Sequence, residues 1–440
     1  MSSKNLYLNT KPSTLFWKAA VPGGISMLSS SLYTVFDAIF IGKFIGTTAF
    51  AALGLAMPLI VINHALAELV GVGSSVPISI FLGRREDQKA NNYFTCSILL
   101  IMMTGFISGS LVYFSAPWFM QLMGAKGELL KLSIQYARVY AMFSPVSPLI
   151  FAVDNYLRIS GKVKTSMILN IFMSCLTVVL ELLLIIIIPM GVIGASLGSC
   201  FSMVICGMIA ISFFVPGKLQ LKFVKPKFSK GMLTQIYKNG AAPFLTNISG
   251  RLFYIVMNAL LLRFGGAAGV AVYGVIMTLV GIIEQLMYGV VDSLQPALGY
   301  NYGARQIGRV KRIQKYALLA AATISVVGAV ILFLFPGQLS VPFLEDLKIL
   351  DLAIFAVRIS STAYLFRWFT VATQGFFMAL EKPVFAMLVA GASACLFPLA
   401  LVPILIPLEL TGLWLNYPFA AMLTAVLAFI AVLKTKKELF

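Results

Sequence analysis

The sequence predicts an all-α integral membrane protein. Twelve transmembrane helices are expected, in two six-helix parallel repeats that form two lobes around a central cavity. Three observations carry this. Of 440 residues, 60% are hydrophobic and only 11% charged, under half the roughly 25% charged share of a soluble domain. The apolar residues gather in runs long enough to cross a bilayer. The second half of the chain repeats the pattern of the first.

A spanning helix needs about 20 apolar residues, because the hydrocarbon core is about 30 Å thick and each helical residue rises about 1.5 Å. Residues 1–18 are polar, and the apolar stretch that follows is too long for a secretory signal. The spans then fall at 15–41, 44–67, 91–125, 131–157, 165–188 and 191–217. After a basic linker at 217–235 they resume at 236–262, 268–300, 316–344, 350–378, 383–408 and 410–433. The expected division is an N-terminal lobe over 1–216, the linker, and a C-terminal lobe over 236–440.

Lys and Arg set the orientation, since cytoplasmic loops retain them. With the N-terminus inside, 24 of the 33 basic residues lie at cytoplasmic ends, including Arg84, Arg85, Lys162, Lys164, Arg305 and Lys382. The net charge of +18 is thereby read as a topology signal facing anionic lipid, which excludes a nucleic-acid partner. The five cysteines fall inside apolar runs with no CxxC spacing, as expected of buried thiols that pack as small hydrophobes. One histidine and no ligand cluster argue against a membrane-embedded enzyme.

A shift of about 220 residues brings Ala20-Val21-Pro22 onto Ala241-Ala242-Pro243, Gly83-Arg84-Arg85 onto Gly303-Ala304-Arg305, and Arg138 onto Arg358. An even number of spans per half makes the repeats parallel, an arrangement suited to two bundles that rock about a shared cavity.

Polar residues recur at helical spacing inside the spans. The first span carries Ser26, Ser30, Tyr33 and Asp37, and the seventh Asn247, Arg251, Tyr254 and Asn258. The fifth carries Asn170, Ser174, Thr177 and Glu181, the second His64 and Glu68, and the eighth Glu284, Tyr288, Asp292 and Gln295. A charge at mid-membrane costs about 2.5–3.5 kcal/mol on insertion scales, so each must face protein or water. Asp37, Thr177, Glu181 and Ser199 lie at one depth. Their oxygens suit Na⁺, with Asp37 and Glu181 as the candidate ligands, or the carboxyls can trap a proton. Tyr33, Glu68, Arg251, Tyr254, Asn258, Glu284, Asp292 and Arg367 are candidate cavity residues. The three acids would favour cationic substrates, unless Arg251 and Arg367 neutralise them. Asp154, four residues before Arg158, reads as an ordinary helix ion pair, and His64 as a packing residue or a partner of Glu68.

The first half reads Tyr33-x3-Asp37-x2-Phe40-Ile41-Gly42-x3-Gly46, then Ala51-Ala52-Leu53-Gly54-x3-Pro58, Gly71-x-Gly73-Ser74-Ser75 and Leu82-Gly83-Arg84. The second reads Gln295-Pro296-x2-Gly299-Tyr300-Asn301-Tyr302-Gly303-Ala304. Over essentially the whole chain this resembles the multidrug and toxic compound extrusion (MATE) family, nearest its prokaryotic branch. The resemblance implies two V-shaped lobes, no cofactor, and export of organic cations by exchange for H⁺ or Na⁺. The family's first-span Asp matches Asp37; its fifth-span Asn and Asp fall on Thr177 and Glu181, and its sixth-span Thr on Ser199. The last three are departures that keep an oxygen at each position. Glu284 and Asp292 stand where this branch is expected to be uncharged. The expected setting is the plasma membrane, with both termini cytoplasmic and a monomer as the working unit. The alternative is a flippase for a lipid-linked precursor, from the same superfamily, with an arginine-lined cavity built from Arg138, Arg251, Arg358 and Arg367.

Overall fold

The computed structural model describes residues 5–40, 44–344 and 349–439. The side chains of residues 5, 32–40, 47 and 436–439 fall outside that description, and with them two expected site residues, Tyr33 and Asp37. Among the described residues there is no strand, and twelve helical spans follow one another.

The first half holds α1 (Pro12–Phe40), α2 (Thr47–Gly83), α3 (Asp87–Leu122), α4 (Gly127–Phe143 and Leu149–Ile159), α5 (Val163–Leu182, prolonged by a π-turn at Leu183–Ile187) and α6 (Gly191–Ser212). The second half holds α7 (230–265), α8 (267–303), α9 (Ile307–Leu334), α10 (Leu350–Ser361 and Tyr364–Ala379), α11 (383–408) and α12 (Glu409–Leu439). Among the described residues seven helical segments are long and apolar enough to cross a membrane, and two of these, at 230–303 and 383–435, each hold two spans. Helix α1 and the interrupted α4 and α10 complete the twelve.

The breaks have local causes. Helices α7 and α8 meet at Gly266, with φ 60° and ψ −154°, a backbone conformation open mainly to glycine. In α4 the helix lapses between Phe143 and Leu149, where Pro145 and Pro148 remove two backbone donors. Helix α3 can approach that break because Gly105 and Gly109 face it: a Cβ at Gly105 would lie 2.2 Å from the Ser144 carbonyl oxygen.

The internal repeat is written into the turns. Arg85 and Arg305, 220 residues apart, take φ 65° and 57°, and Gly161 and Glu381, also 220 apart, take 78° and 58°. In each turn the next residue's N–H reaches back five positions: Glu86 to Phe81, Gln306 to Asn301, Lys162 to Leu157 and Lys382 to Phe377, at 2.8–2.9 Å. This is the Schellman closure of a helix end.

The chain forms two compact units, Met1–Thr10 with Leu28–Phe244, and Lys11–Met27 with Leu245–Phe440. These differ from the expected lobes at two places, and close helix contacts explain both. In the first unit α7 begins against α2: a Cβ at Gly240 would stand 1.8 Å from the Leu69 carbonyl oxygen, and one at Gly73 2.1 Å from that of Ile236. In the second unit the early turns of α1 lie against α8, where a Cβ at Gly23 would meet Ser293 Oγ at 1.7 Å and the Gly289 carbonyl at 2.4 Å. The expected linker is also docked. Asn92 of α3 accepts from the Lys227 N–H at 2.8 Å, Asn91 from Lys222 N–H at 2.9 Å, and Thr95 from Val224 N–H at 3.1 Å.

Candidate functional site

In the first unit α5 and α6 pack backbone to backbone. A Cβ at Gly194 would lie 2.5 Å from the Leu184 carbonyl oxygen, and one at Gly198 2.8 Å from Glu181 Cγ. Small residues four apart are what permit such an approach between membrane helices. The result is a buried carboxyl: Glu181 has no exposed surface, and Ser199 donates its hydroxyl to Glu181 Oε1 at 2.7 Å. One turn away the Thr177 and Ser202 hydroxyls are 2.5 Å apart; Thr177 also reaches the Met173 carbonyl, and Ser202 that of Ser199. Three of the four residues expected to handle a cation thus meet at one contact, while Asp37 lies outside the described residues. Ser202 was not anticipated. Its signal was the three-residue step from Ser199, lost among the small residues of α6.

The α5 stripe does not act as one face. Asn170 turns to α4, where Asp154 accepts from Asn170 Nδ2 at 2.9 Å and also from Arg158 and Ser166. The expected Asp154–Arg158 ion pair is present and sits in a larger network, since the Tyr7 hydroxyl donates to the Arg158 carbonyl. Burial pushes the Tyr7 phenol above its ordinary range. His64 packs edge-on between Phe151 and Tyr140, with ring centroids at 5.3 and 6.5 Å, and its Nε2 is buried with no partner among the described residues. That favours its packing role. Glu68 is half-buried on α2.

In the second unit Glu284 of α8 accepts from Arg367 Nε at 2.7 Å and from the Tyr417 hydroxyl at 2.9 Å, while Arg367 also donates to Ser393. Glu284 therefore does not supply the uncompensated negative charge considered for it, because α10 brings a guanidinium onto it. Asp292 accepts from Gln295 at 2.7 Å. Arg251 is exposed and makes no ion pair among the described residues. Asn258 donates to the Tyr254 carbonyl at 3.1 Å, and Tyr254 stacks on Tyr273 at 5.3 Å.

Beside this network lies a small cavity of about 20 Å³ lined by Phe253, Met257, Tyr273, Met277, Trp414 and Tyr417 among others. The expected cavity residues are one step removed: Glu284 reaches this space through Tyr417, and Tyr254 through Tyr273. Two buried polar atoms on its wall, Trp414 Nε1 and Asn416 Oδ1, have no hydrogen-bond partner among the described residues. Apolar and aromatic lining with a few polar groups is the usual make-up of a small-molecule pocket.

Comparison with known proteins now bears on this geometry. The MatE family profile matches residues 22–183 and again 243–404, two copies offset by the 221-residue shift seen in the sequence. The chain is 28% identical over 371 residues to the multidrug export protein MepA of Staphylococcus saprophyticus, covering 83% of this chain and 81% of that one. It is also 28% identical over 353 residues to MepA of Staphylococcus aureus strain MSSA476, with 79% and 77% covered. A crystal structure of MATE in complex with MaL6 superposes with a TM-score of 0.94 at 22% identity, over 100% of this chain and 99% of that one. The outward-facing conformation of a multidrug resistance MATE family transporter gives 0.94 at 23%, over 100% and 98%; at these identities the likeness speaks to fold alone. On the strength of the doubled profile match, the chain belongs to the MatE family, the multidrug and toxic compound extrusion transporters.

Proposed function

We propose that the protein is a secondary active antiporter that exports drug-like, cationic organic molecules in exchange for H⁺ or Na⁺ by alternating access. The contact of Glu181 with Ser199, one turn from Thr177 and Ser202, carries this reading. A buried carboxyl among hydroxyl oxygens is a small, hard site able to hold a proton or a sodium ion. Asp37, whose side chain lies outside the described residues, is the second carboxyl that the sequence reading offers for it. The names of the staphylococcal relatives support multidrug export. The aromatic and methionine lining of the second unit's small cavity is chemically suited to an apolar cation, since ring faces attract cations and thioethers adapt to varied shapes.

Coupling requires that ion and substrate favour different conformations. The distribution of lysine and arginine supports a membrane protein with both termini in the cytoplasm; a plasma-membrane setting and a monomeric working unit belong to the same proposal. The flippase reading loses one of its four arginines, since Arg367 is held by Glu284. The test is efflux of a lipophilic cationic dye from proteoliposomes under a pH gradient and, separately, a sodium gradient. Acceleration by either supports antiport; efflux indifferent to both contradicts it.

A further inference from the structure

Of the four arginines inside spans, Arg138 of α4 and Arg358 of α10 stand in a repeated geometry. Arg138 Nε donates to the Tyr113 carbonyl of α3 at 3.2 Å, with its guanidinium carbon 4.9 Å from the centre of the Tyr113 ring. Arg358 Nε donates to the Phe333 carbonyl of α9 at 3.3 Å, 5.9 Å from the centre of the Phe333 ring. The two constellations are 220 residues apart, one in each unit.

The carbonyls explain the Nε bonds. Tyr113 would accept from the N–H of residue 117, which is Pro117 and has none. Phe333 lies in the last turn of α9, where carbonyls lose their helical donors. A neutral glutamine supplies a donor equally well, so the charge is not accounted for by capping. Neither arginine makes an ion pair among the described residues, and a guanidinium stays ionised in any protein setting.

Their position names the counterion. Arg138 is eleven residues past Gly127 and Arg358 eight past Leu350, roughly 17 and 12 Å along their helices. Both lie nearer the ends opposite the basic turns at 84–86 and 160–162. Around Arg138 the α3 side chains Phe114 and Trp118 are 78% and 65% exposed, and beside Arg358 Phe335 and Phe355 are about half exposed. An exposed tryptophan near the end of a span marks the lipid headgroup level, and Trp118 stands four residues from the end of α3. Arg358 is exposed and Arg138 half-buried, so each guanidinium keeps accessible surface beyond its carbonyl. A planar fork of donors matches a phosphate oxygen pair.

We infer that Arg138 and Arg358 each bind the phosphate of an anionic phospholipid, in the leaflet opposite the basic turns, one lipid per repeat. Native mass spectrometry of the purified full-length protein, titrated with phosphatidylglycerol or phosphatidylcholine, tests it. Preference for phosphatidylglycerol is expected, unaffected by excess inorganic phosphate. R138Q and R358Q should each weaken it about five-fold, the effect of one basic residue at an anionic surface. The double variant should lose the preference, and R138K with R358K should keep it, which separates charge from carbonyl capping. The inference is overturned if phosphatidylcholine binds the wild type as well, if inorganic phosphate displaces the lipid, or if the double glutamine variant binds unchanged. Should R138Q not fold, R358Q at its exposed position decides alone, and unchanged affinity there overturns the inference.

Discussion

The two halves of this chain share a repeat and a turn geometry, yet each holds a carboxylate in its own manner. In the first unit Glu181 is held by the hydroxyl of Ser199, with Thr177 and Ser202 a turn away. In the second, Glu284 is held by the guanidinium of Arg367 and the phenol of Tyr417. Hydroxyls leave the negative charge of a carboxylate uncancelled, so a small cation or a proton gains by arriving. A guanidinium cancels it, and an incoming cation gains little. On the proposed reading, ion handling belongs to the first unit, and the Glu284–Arg367 pair is a structural contact in the second. The position equivalent to Glu284 in the first repeat is His64, whose ring is simply packed between Phe151 and Tyr140.

The substitution that strains this contrast most is Glu181→Gln. It keeps shape and hydrogen-bonding capacity while removing the titratable charge, and ion-driven dye export should fall roughly ten- to a hundredfold, the range of typical coupling free energies. Next is Arg367→Gln, which leaves Glu284 without its counter-charge. The pair is only partly buried, with 12% and 24% of the two side chains exposed, so breaking it from one side should cost less than the about 3–5 kcal/mol of a fully buried pair and appear as a lower Tm. Glu284→Gln added to it should recover much of the loss, whereas recovery in a Glu181→Gln background should not occur.

These two effects also separate what was legible in the sequence from what was not. The spans were legible because bilayer thickness dictates a run length, and the doubling because its turns need the same unusual backbone at Arg85 and Arg305. The proximity of Thr177, Glu181 and Ser199, though not their role, was legible because two are one helical turn apart and the third follows a tight hairpin between α5 and α6. The convergence of Glu284, Arg367 and Tyr417 was half legible. An acid and an arginine invited pairing, but nothing local ties residues separated by 83 and 133 positions. Asn170 was assigned to the Glu181 stripe by spacing, yet one further turn of α5 carries it to Asp154 on α4. The compact units departed from the expected boundaries because glycine contacts at Gly23 and Gly240 depend on facing helices rather than on neighbouring sequence.

Smaller effects sharpen the account of the α5–α6 contact. Gly198→Ala places a methyl group 2.8 Å from Glu181 Cγ and 3.0 Å from its backbone nitrogen, and overpacking of this kind costs about 1–3 kcal/mol. Both the Tm and gradient-driven export should drop. Ser199→Ala removes one hydrogen bond to a charged group, worth about 1.5–3 kcal/mol, and should alter ion dependence more than fold stability when both are measured on the same preparation. The smallest change is expected for His64→Phe. A ring whose Nε2 is buried without a partner among the described residues gives up little when replaced by an apolar ring, so Tm should move by under about 1 kcal/mol equivalent.

The most direct measurement compares Glu181→Gln with Glu284→Gln in proteoliposomes, following dye efflux with and without an imposed cation gradient. The account predicts that Glu181→Gln still binds dye but exports it at the same rate whether or not the gradient is present, while Glu284→Gln remains driven by the gradient. A Glu181→Gln protein driven as strongly as the wild type, with coupling lost instead in Glu284→Gln, would contradict it.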